Sequence, residues 1–306
     1  NQTSASEFIL LGLTGDPHLQ SLLFFVFSVI YFITLFGNMV IVIVISTDPH
    51  LLSPMYFFLS HLALTDICYA TTIVPYMLVN FLVKQKTIDF SACIIQMSLI
   101  LLSAVTEIFM LSVMAYDRYV AICKPLHYQE VMSRRVCIHL VGSAWTMGAL
   151  YSIINTLPVL NVQFCKYTEI KHFSCELPPL LTAACGRTLL NKLFLLSSAV
   201  IFGSSSFLLT LISYICVIST VLKIQSSKER HKAFSTCSSH LIIVVLLYTT
   251  ALLEYTKPSS VSAFIPDQLF SIQYSILTPM LNPIIYSLKN KDVKRALGRM
   301  LGKIQV

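Results

Sequence analysis

The chain has 306 residues, of which 56% are hydrophobic and only 11% are charged, and its formal net charge is +7. A soluble domain of this size carries about 25% charged residues. The composition therefore excludes an ordinary water-soluble protein and is typical of a chain that crosses a membrane several times.

Seven stretches of the chain are apolar and long enough to span a bilayer, which takes about 20 residues per helix. Backbone polar groups cannot stay unpaired in lipid, so each stretch is predicted to be helical. The alternating segments of about 10 residues that mark a membrane β-barrel do not occur. The predicted spans are Leu22–Ser46, Met55–Asn80, Ile94–Cys123, Val136–Pro158, Leu193–Leu222, Ser238–Tyr255 and Gln268–Leu288.

These spans predict one all-α membrane domain over residues 1–306. Residues 1–21 form an outer segment, residues 22–288 a seven-helix bundle, and residues 289–306 a cytosolic tail. With the C-terminus inside, fourteen of the 21 Lys and Arg residues lie in the cytosol and seven lie outside. This asymmetry satisfies the positive-inside rule, so the positive net charge reports topology and does not indicate a nucleic-acid partner.

The two ends of the chain carry surface features. Asn1 opens the triplet Asn-Gln-Thr, an N-glycosylation acceptor on the outer side that also arises by chance. The tail predicts a short amphipathic helix on the membrane surface, so membrane lipid is one partner. Its apolar side holds Val293, Leu297, Met300 and Leu301, and its basic side holds Lys291, Lys294, Arg295 and Arg299.

The most informative string is MAYDRYVAICKPLHY, residues 114–128, which closes the third span with an acid, an arginine and a tyrosine. An arginine buried at the end of a membrane helix is costly and indicates function, and Asp117 is the neighbouring partner of Arg118. Other strings follow in order around it. They are Gly37-Asn38, PMYFFL at 54–59, Leu64-Thr65-Asp66, Trp145, KAFSTCSSHL at 232–241 and PMLNPIIY at 279–286.

Together these strings, in this order and at these spacings, resemble the olfactory receptors of class II (the tetrapod type), within the rhodopsin-like class of G-protein-coupled receptors. The resemblance covers nearly the whole chain. Tyr248 stands where most of the rhodopsin-like class has a Trp in the sixth helix, and no Pro follows it. Olfactory receptors share that departure.

The resemblance implies a receptor that binds a small, mostly apolar volatile odorant inside the bundle and activates a stimulatory olfactory G protein, which raises cAMP. It implies the plasma membrane of olfactory sensory cilia, trafficking accessory proteins as partners, and no enzymatic activity. The open alternative is a rhodopsin-like receptor for a non-odorant small molecule. A channel or transporter is disfavoured, because only Asp66 and Glu107 are ionisable residues deep in the membrane.

The same resemblance places the ligand among apolar side chains with a few hydroxyl groups. Amine receptors carry an acid on the outer third helix, where this chain has Ile100 and Leu101, so a neutral apolar ligand is favoured. For any single position the alternative is plain helix packing. The predicted lining is Met97, Ile100, Leu101, Ala104, Val105, Ser198, Ala199, Phe202, Tyr248, Ala251, Leu252, Tyr255, Ile272 and Ser275.

Helical geometry places one predicted ligand position and two charged positions of the third span on the same face. At about 100° per residue, Ile100, Glu107 and Arg118 lie within about 20° of one another. Two facing carboxyl groups, Glu107 and Asp66, share a proton or hold a cation. In the family, the region of the sodium site corresponds to Asp66, Glu107, Asn38 and Asn282. The sequence does not decide between a bound sodium ion and a hydrogen-bond network with a protonated acid. No other metal or cofactor is predicted.

The resemblance also implies a switch at the cytosolic end. Asp117 holds Arg118 at rest, and activation frees Arg118 to meet the G protein and Tyr214. His240 is a candidate partner of Arg118, the alternative being a purely structural histidine. The predicted switch group is Asp117, Arg118, Tyr119, Tyr214, His240, Asn282, Pro283 and Tyr286.

Four of the nine cysteines fall on the outer side, where disulfide bonds persist. Four cysteines allow three pairings. The resemblance implies that Cys93 pairs with Cys175 and that the additional loop bridge of the family joins Cys165 to Cys185. Metal binding by these cysteines is disfavoured, because none has CxxC spacing.

Overall fold

A computed structural model describes residues 7–165, 168–256, 267–289 and 291–304. For residues 229, 232, 235–236, 251–256, 267, 287–289, 291, 301 and 303–304 it describes the backbone alone. The long helices in chain order are α1 Pro17–Thr47, α2 Pro54–Leu82, α3 Phe90–Cys123, α4 Arg134–Thr156, α5 Leu189–Leu222 and α6 Ser227–Thr256. Helix α7 comprises Asp267–Ile272, the π-helical turn Gln273–Leu277 and Thr278–Lys289, and α8 is Lys291–Ile304.

Each predicted span lies within one of the helices α1 to α7, apart from the end of the fourth, where the chain tightens into a 3₁₀ turn at Leu157–Asn161. In the described residues α1 to α5 are long and apolar enough to cross a membrane, while the apolar part of α6 is shorter, at Cys237–Thr250. Helix α6 begins at Ser227, before the predicted Ser238. The helix continues past the apolar stretch, because polar side chains do not interrupt backbone hydrogen bonding. We call this end of the bundle the cytosolic end and the opposite end the outer end, after the predicted topology.

Local sequence explains where the helices begin and how closely they pack. Pro17 and Pro54 occupy the first turns of α1 and α2, where the missing N–H costs nothing. Gly148 of α4 lies against α3: a Cβ atom there would be 2.7 Å from the carbonyl oxygen of Leu102. A residue without a side chain therefore lets the two helices approach.

A small sheet covers the outer end of the bundle, and the sequence did not predict it. Strand β1 is Glu7–Leu10, β2 is Thr87–Asp89 and β3 is Thr168–Ile170, in the order β2-β1-β3. Strand β1 pairs antiparallel with β2 and parallel with β3. Its inward residues Phe8 and Leu10 are completely buried. Part of the predicted outer segment 1–21 is thus built into the fold.

Two disulfide bonds fasten the loop between α4 and α5. Cys93 at the start of α3 is bonded to Cys175, with a Cα–Cα distance of 5.4 Å, and Cys165 is bonded to Cys185 at 5.9 Å. These are the pairs that the resemblance implies. The first bond joins the loop to the helix bundle, and the second closes the loop on itself.

Helix α8 packs against the cytosolic ends of α1 and α2. Val293 and Ala296 are buried in the same apolar cluster as residues of α1 and α2. Arg299 forms an ion pair with Asp48 in the connection between α1 and α2, with 2.6 Å between Nη2 and Oδ2. The predicted apolar side of the tail is therefore the side that meets the bundle.

Candidate ligand and G-protein sites

The outer part of the predicted ligand site lies directly beneath the loop between α4 and α5. Met97 is buried, and with the partly buried Leu101 it packs among apolar loop residues such as Phe164 and Leu180. A second apolar cluster includes Ile100, with the partly buried Ala104 and Ile272, and the loop residue Phe173. The loop therefore covers the predicted site and contributes Phe173 to it, a residue that the sequence argument did not select.

A buried acid of the same loop ties it to α7. The Glu176 carboxyl group is 4% exposed and accepts hydrogen bonds from Ser271 Oγ at 2.9 Å and from the Tyr274 hydroxyl. Ser174 donates to its other oxygen at 3.2 Å, and His172 Nε2 lies 3.1 Å from Ser271 Oγ. We name Glu176, His172, Ser271 and Tyr274 the loop latch. None of these four residues was predicted from the sequence, although an ionisable residue beside the bridged Cys175 was a usable signal.

Helix α7 is irregular next to the latch. Its turn Gln273–Leu277 is π-helical, a feature found frequently at functional sites. Ser275, a predicted ligand residue, lies in this turn, is completely buried and donates to the carbonyl of Ser271. Tyr274, which donates to Glu176 of the loop, lies in the same turn.

Two predicted ligand residues of α5 make contacts with α4. Ser198 Oγ lies 3.0 Å from Asn155 Nδ2, which donates to it. The ring of Phe202 packs edge-on against Tyr151, with 5.3 Å between centroids. These contacts place both side chains at the α4–α5 interface, which is the packing alternative for these positions.

The remaining predicted ligand residues divide between helices. Val105 of α3 is buried, and Ala199 of α5 is half-buried. Tyr248 of α6 is half-buried and donates to Ser206 Oγ at 3.1 Å. The side chains of Ala251, Leu252 and Tyr255 lie outside the described residues, as does Asn1.

The two mid-membrane acids meet through Asn282. Asn282 Nδ2 lies 2.9 Å and 3.1 Å from the two oxygens of Asp66 and 3.4 Å from Glu107 Oε1. Asp66 is completely buried, and Glu107 and Asn282 are almost completely buried. Asn38 takes a different role, because its amide donates to the carbonyls of Thr34 and Pro279 at 2.9 and 3.0 Å and so ties α1 to α7.

One polar atom beside the acids has no hydrogen-bond partner in the structure. The Oδ1 atom of Asn282 is buried without one, and an unpaired buried acceptor is costly. Asn282 turns its amide nitrogen toward both carboxyl groups. A proton shared between the two acids is compatible with this arrangement, whereas a hard cation such as Na⁺ would need the amide reversed so that Oδ1 faces the acids. In the described residues no group of three or more His, Cys, Asp and Glu side chains could hold a metal ion.

At the cytosolic end, Asp117 is the centre of a three-residue contact. Arg118 Nη2 lies 2.5 Å from Asp117 Oδ2, and the Tyr128 hydroxyl donates to Asp117 Oδ1 at 2.7 Å. Asp117 is completely buried. The Arg118–Asp117 pair is the predicted one, while Tyr128 was not selected, although it closes the string that identified the site. Tyr119 lies beside them, with its ring 5.6 Å from Lys124 Nζ.

The hydrogen-bond partners of His240 are not Arg118 but Leu111 and Tyr214, which agrees with the alternative of a structural histidine. Its Nε2 lies 3.0 Å from the carbonyl oxygen of Leu111, which can only accept, so Nε2 carries hydrogen. In the neutral ring Nδ1 then accepts from the hydroxyl group of Tyr214, with which it is in hydrogen-bond contact. His240 thus joins α3, α5 and α6. Tyr286, below Pro283 in α7, is buried, and its hydroxyl has no hydrogen-bond partner in the structure.

Comparison with known proteins decides the family. The model of the olfactory receptor family matches residues 27–304. The human olfactory receptor 5M10 is 45% identical over 301 residues, which cover 98% of this chain and 96% of that receptor. The chain belongs to the olfactory receptor family.

Receptors from other mammals give the same result. The dog olfactory receptor-like protein OLF4 is 43% identical, over 97% of this chain and 96% of its own length. The mouse olfactory receptor 1M1 is 44% identical, over 99% of this chain and 97% of its own length. This olfactory receptor is therefore a seven-helix G-protein-coupled receptor and a multi-pass membrane protein, and it is not an enzyme.

Proposed function

We propose that this olfactory receptor binds a small, neutral, mostly apolar volatile molecule beneath the loop between α4 and α5 and signals through a stimulatory olfactory G protein, which raises cAMP. The observation that carries the ligand class is the apolar cluster of Ile100, Ile272 and Phe173. Such a surface favours an apolar ligand that a few polar groups orient.

The loop latch supports a neutral ligand. Glu176 is the acid nearest to this cluster in the chain, yet its oxygens already accept from Ser271, Tyr274 and Ser174. A cationic amine would have to compete with these hydroxyl groups for the carboxyl group. A neutral odorant needs no such exchange.

The cytosolic contacts support G-protein coupling. His240 joins α6 to α5 through Tyr214 and to α3 through the carbonyl of Leu111, while the pair with Asp117 holds the Arg118 side chain against its own helix. We propose that the active state breaks both contacts and turns Arg118 and Tyr214 toward the G protein, with Tyr286 moving inward. The ligand acts by binding this state more tightly than the resting one.

We also propose that Asp66, Glu107 and the Oδ1 atom of Asn282 hold one cation, a sodium ion or a proton, in the resting state. Two observations support this proposal: both acids lie within 3.4 Å of the same amide group, and reversing that amide would turn the unpartnered Oδ1 atom toward them. A sodium ion would raise the thermal stability of the purified receptor in NaCl over that in choline chloride, and the Asp66→Asn variant would lose the difference. Equal stabilities in the two salts would leave the proton alternative.

Membrane lipid and location complete the proposal. Apolar side chains of α1, α7 and α8 line a groove of about 290 Å³ on the outside of the bundle, where we expect lipid chains to lie. We place the N-terminus outside, the C-terminus in the cytosol and the receptor in the plasma membrane of sensory cilia, which it reaches with trafficking accessory proteins.

The deciding experiment measures cAMP in cells that express the receptor with olfactory trafficking factors and the olfactory G protein. A chemically broad panel of neutral volatiles and volatile amines is applied, with surface staining in parallel. We expect a dose-dependent response to at least one neutral volatile and no response from Arg118→Ala at equal surface level. Silence at good surface expression would contradict the proposal and favour a non-odorant ligand.

A further inference from the structure

A set of buried hydroxyl groups crosses the middle of the bundle between α3, α5 and α6. Ser112 and Ser206 are completely buried, and Thr210 is 3% exposed. They belong to neither the predicted ligand site nor the predicted switch. Buried hydroxyl groups are costly unless they are hydrogen-bonded, so their partners show which helices they connect.

Ser206 of α5 receives contacts from both neighbouring helices. The Tyr248 hydroxyl of α6 donates to Ser206 Oγ at 3.1 Å, and Ser206 Oγ donates to the carbonyl of Gly203 at 2.9 Å. From α3, Ser112 Oγ lies 3.1 Å from the carbonyl oxygen of Ser206. One residue of α5 therefore bonds α6 through its side chain and α3 through its backbone.

Ser112 has a single hydroxyl hydrogen and two acceptors within reach. Its Oγ lies 3.0 Å from the carbonyl of Ile108 in its own helix and 3.1 Å from that of Ser206, while Thr210 donates to it at 3.0 Å. The hydroxyl can thus bond within α3 or across to α5. The two arrangements differ by one interhelical hydrogen bond, which makes this contact reversible at small cost.

The hydroxyl set lies next to the cytosolic switch. Leu111, whose carbonyl meets His240 Nε2, adjoins Ser112 in the chain, and Tyr214 follows Thr210 by one helical turn. Tyr248 and His240 are two turns apart on α6, about 12 Å along the axis. Two groups of interhelical hydrogen bonds therefore follow one another along the bundle, from the level of the predicted ligand site to the switch, and the backbones of α3 and α5 connect them.

We propose that Ser206 is a positioning residue for signalling: its hydroxyl fixes Tyr248, and with Ser112 and Thr210 it holds α6 against α3 in the resting receptor. A ligand that turns Tyr248 away from Ser206 removes this restraint and favours separation of α6 at the cytosolic end. This inference rests on the proposed coupling to cAMP, and its test includes a measurement that does not.

The first measurement is the ligand-free cAMP signal per surface receptor. Ser206→Ala should raise it about two- to tenfold, the change that corresponds to the net free energy of one hydrogen bond. Ser205→Ala is the matched control, because the Ser205 side chain is exposed and bonds to Phe202 in its own helix; it should leave the signal unchanged. Ser206→Thr keeps a hydroxyl group and should restore the wild-type signal.

A double-mutant cycle tests the contact itself. Tyr248→Phe removes the donor to Ser206, so it should raise the ligand-free signal by a similar factor. The Ser206→Ala/Tyr248→Phe receptor should then resemble either single variant. Independent, multiplying effects of the two substitutions would overturn the proposal, as would a ligand-free signal of Ser206→Ala equal to that of Ser205→Ala.

The second measurement is hydrogen exchange of the purified receptor in lipid nanodiscs. Ser206→Ala should exchange faster than Ser205→Ala over the described part of α6 that includes His240 and Tyr248. If all receptors lack a cAMP signal while this difference persists, the G-protein coupling fails and the role of Ser206 stands. Equal exchange in both variants would contradict the role of Ser206. If Ser206→Ala does not reach the cell surface, Thr210→Val replaces it in both measurements, because this substitution removes the hydroxyl group that donates to Ser112.

Discussion

The outer end of this receptor is held covalently, whereas its cytosolic end is held by contacts that can exchange partners. Outside, two disulfide bonds, a three-stranded sheet and the loop latch fasten the loop between α4 and α5. The five remaining cysteines, all within the described ranges, are free. Inside, one buried acid divides its oxygens between Arg118 and Tyr128.

The difference follows from what each end has to do. A loop that covers an apolar site has to stay folded in contact with water, and disulfide bonds favour this because they restrict the unfolded chain. A cytosolic end that binds a partner in one of two states needs contacts whose free energies are small and nearly balanced. We therefore expect substitutions outside to lower stability, and substitutions inside to change the ligand-free signal.

The largest effect should come from breaking the covalent part of the outer end. Cys93→Ser should lower the free energy of unfolding by about 2–5 kcal/mol, because the bond to Cys175 closes a long loop, and the receptor should fail to reach the cell surface. Surface staining measures this. Cys68→Ser, which removes a free and exposed cysteine, is the control, and wild-type surface levels of Cys93→Ser would contradict the prediction.

A smaller loss of stability is expected from the loop latch. Glu176→Gln turns an acceptor oxygen into a donor that faces the hydroxyl groups of Ser271 and Tyr274, at a cost of about 1–3 kcal/mol. Thermal unfolding of the purified receptor measures it. Glu169→Gln changes an exposed acid of the same loop and should have no effect. An unchanged midpoint for Glu176→Gln would show that the latch does not fasten the loop.

At the cytosolic end, Asp117→Asn should change signalling more than stability. Weakening the pair with Arg118 should raise the ligand-free cAMP signal about tenfold, which equals ~1.4 kcal/mol of bias toward the active state. Tyr128→Phe keeps the ion pair and should give a smaller rise. Suppose instead that Asp117→Asn lowered the unfolding midpoint as much as Glu176→Gln and left the ligand-free cAMP signal unchanged. The proposed difference between a stability role outside and a signalling role inside would then be wrong.

The smallest effect belongs to the contact between α8 and the α1–α2 connection. The backbone N–H of His50, followed by the Arg299 side chain, lowers the pKa of Asp48 from its ordinary 3.8. A lowered pKa in the folded state adds stability above pH 3.8, and this stability is lost as the pH falls through the folded-state pKa. The pair lies at the surface, with the Arg299 side chain 44% exposed and that of Asp48 11% exposed, so salt and water screen it.

Asp48→Asn should therefore lower the unfolding midpoint slightly near neutral pH, and the difference from wild type should shrink as the pH falls below 3.8. Arg299→Gln should give a similar small shift near neutral pH, and the double variant should add little. A difference from wild type that grows in acid would contradict the assigned sign. Asp292→Asn serves as a comparison for the removal of one acidic charge. Asp292 lies on α8, as Arg299 does, and its side chain is 61% exposed.

The sequence predicted several contacts correctly and missed others for a common reason. Asp117 and Arg118 are adjacent in the chain, so their pairing needed no knowledge of the fold. The partners of His240 are Leu111 and Tyr214, 129 and 26 residues away. Which groups on three different helices reach one another depends on how those helices rotate and pack, and no local pattern reports that.

The same reason separates the two halves of the predicted ligand site. Ile100 lies on the inward stripe of α3 that helical periodicity identifies, and Met97, which the family resemblance implied, is buried one turn away on the same helix. Ser198 and Phe202 instead contact Asn155 and Tyr151 of α4, because the rotation of α5 about its axis is set by its neighbours. Hydrophobicity does not set it, since much of the apolar surface of a membrane helix faces lipid.

By itself, the sequence determined that this chain crosses the membrane as seven helices and that it resembles the olfactory receptors. Apolar length and basic loops act locally, through the free energy of placing each segment in lipid. Only the tertiary structure decided that residues 7–10 join a sheet, that Glu176 latches the loop to α7, and that Ser206 lies between Tyr248 and Ser112. These contacts join residues far apart in the chain, and they form only when the helices have packed.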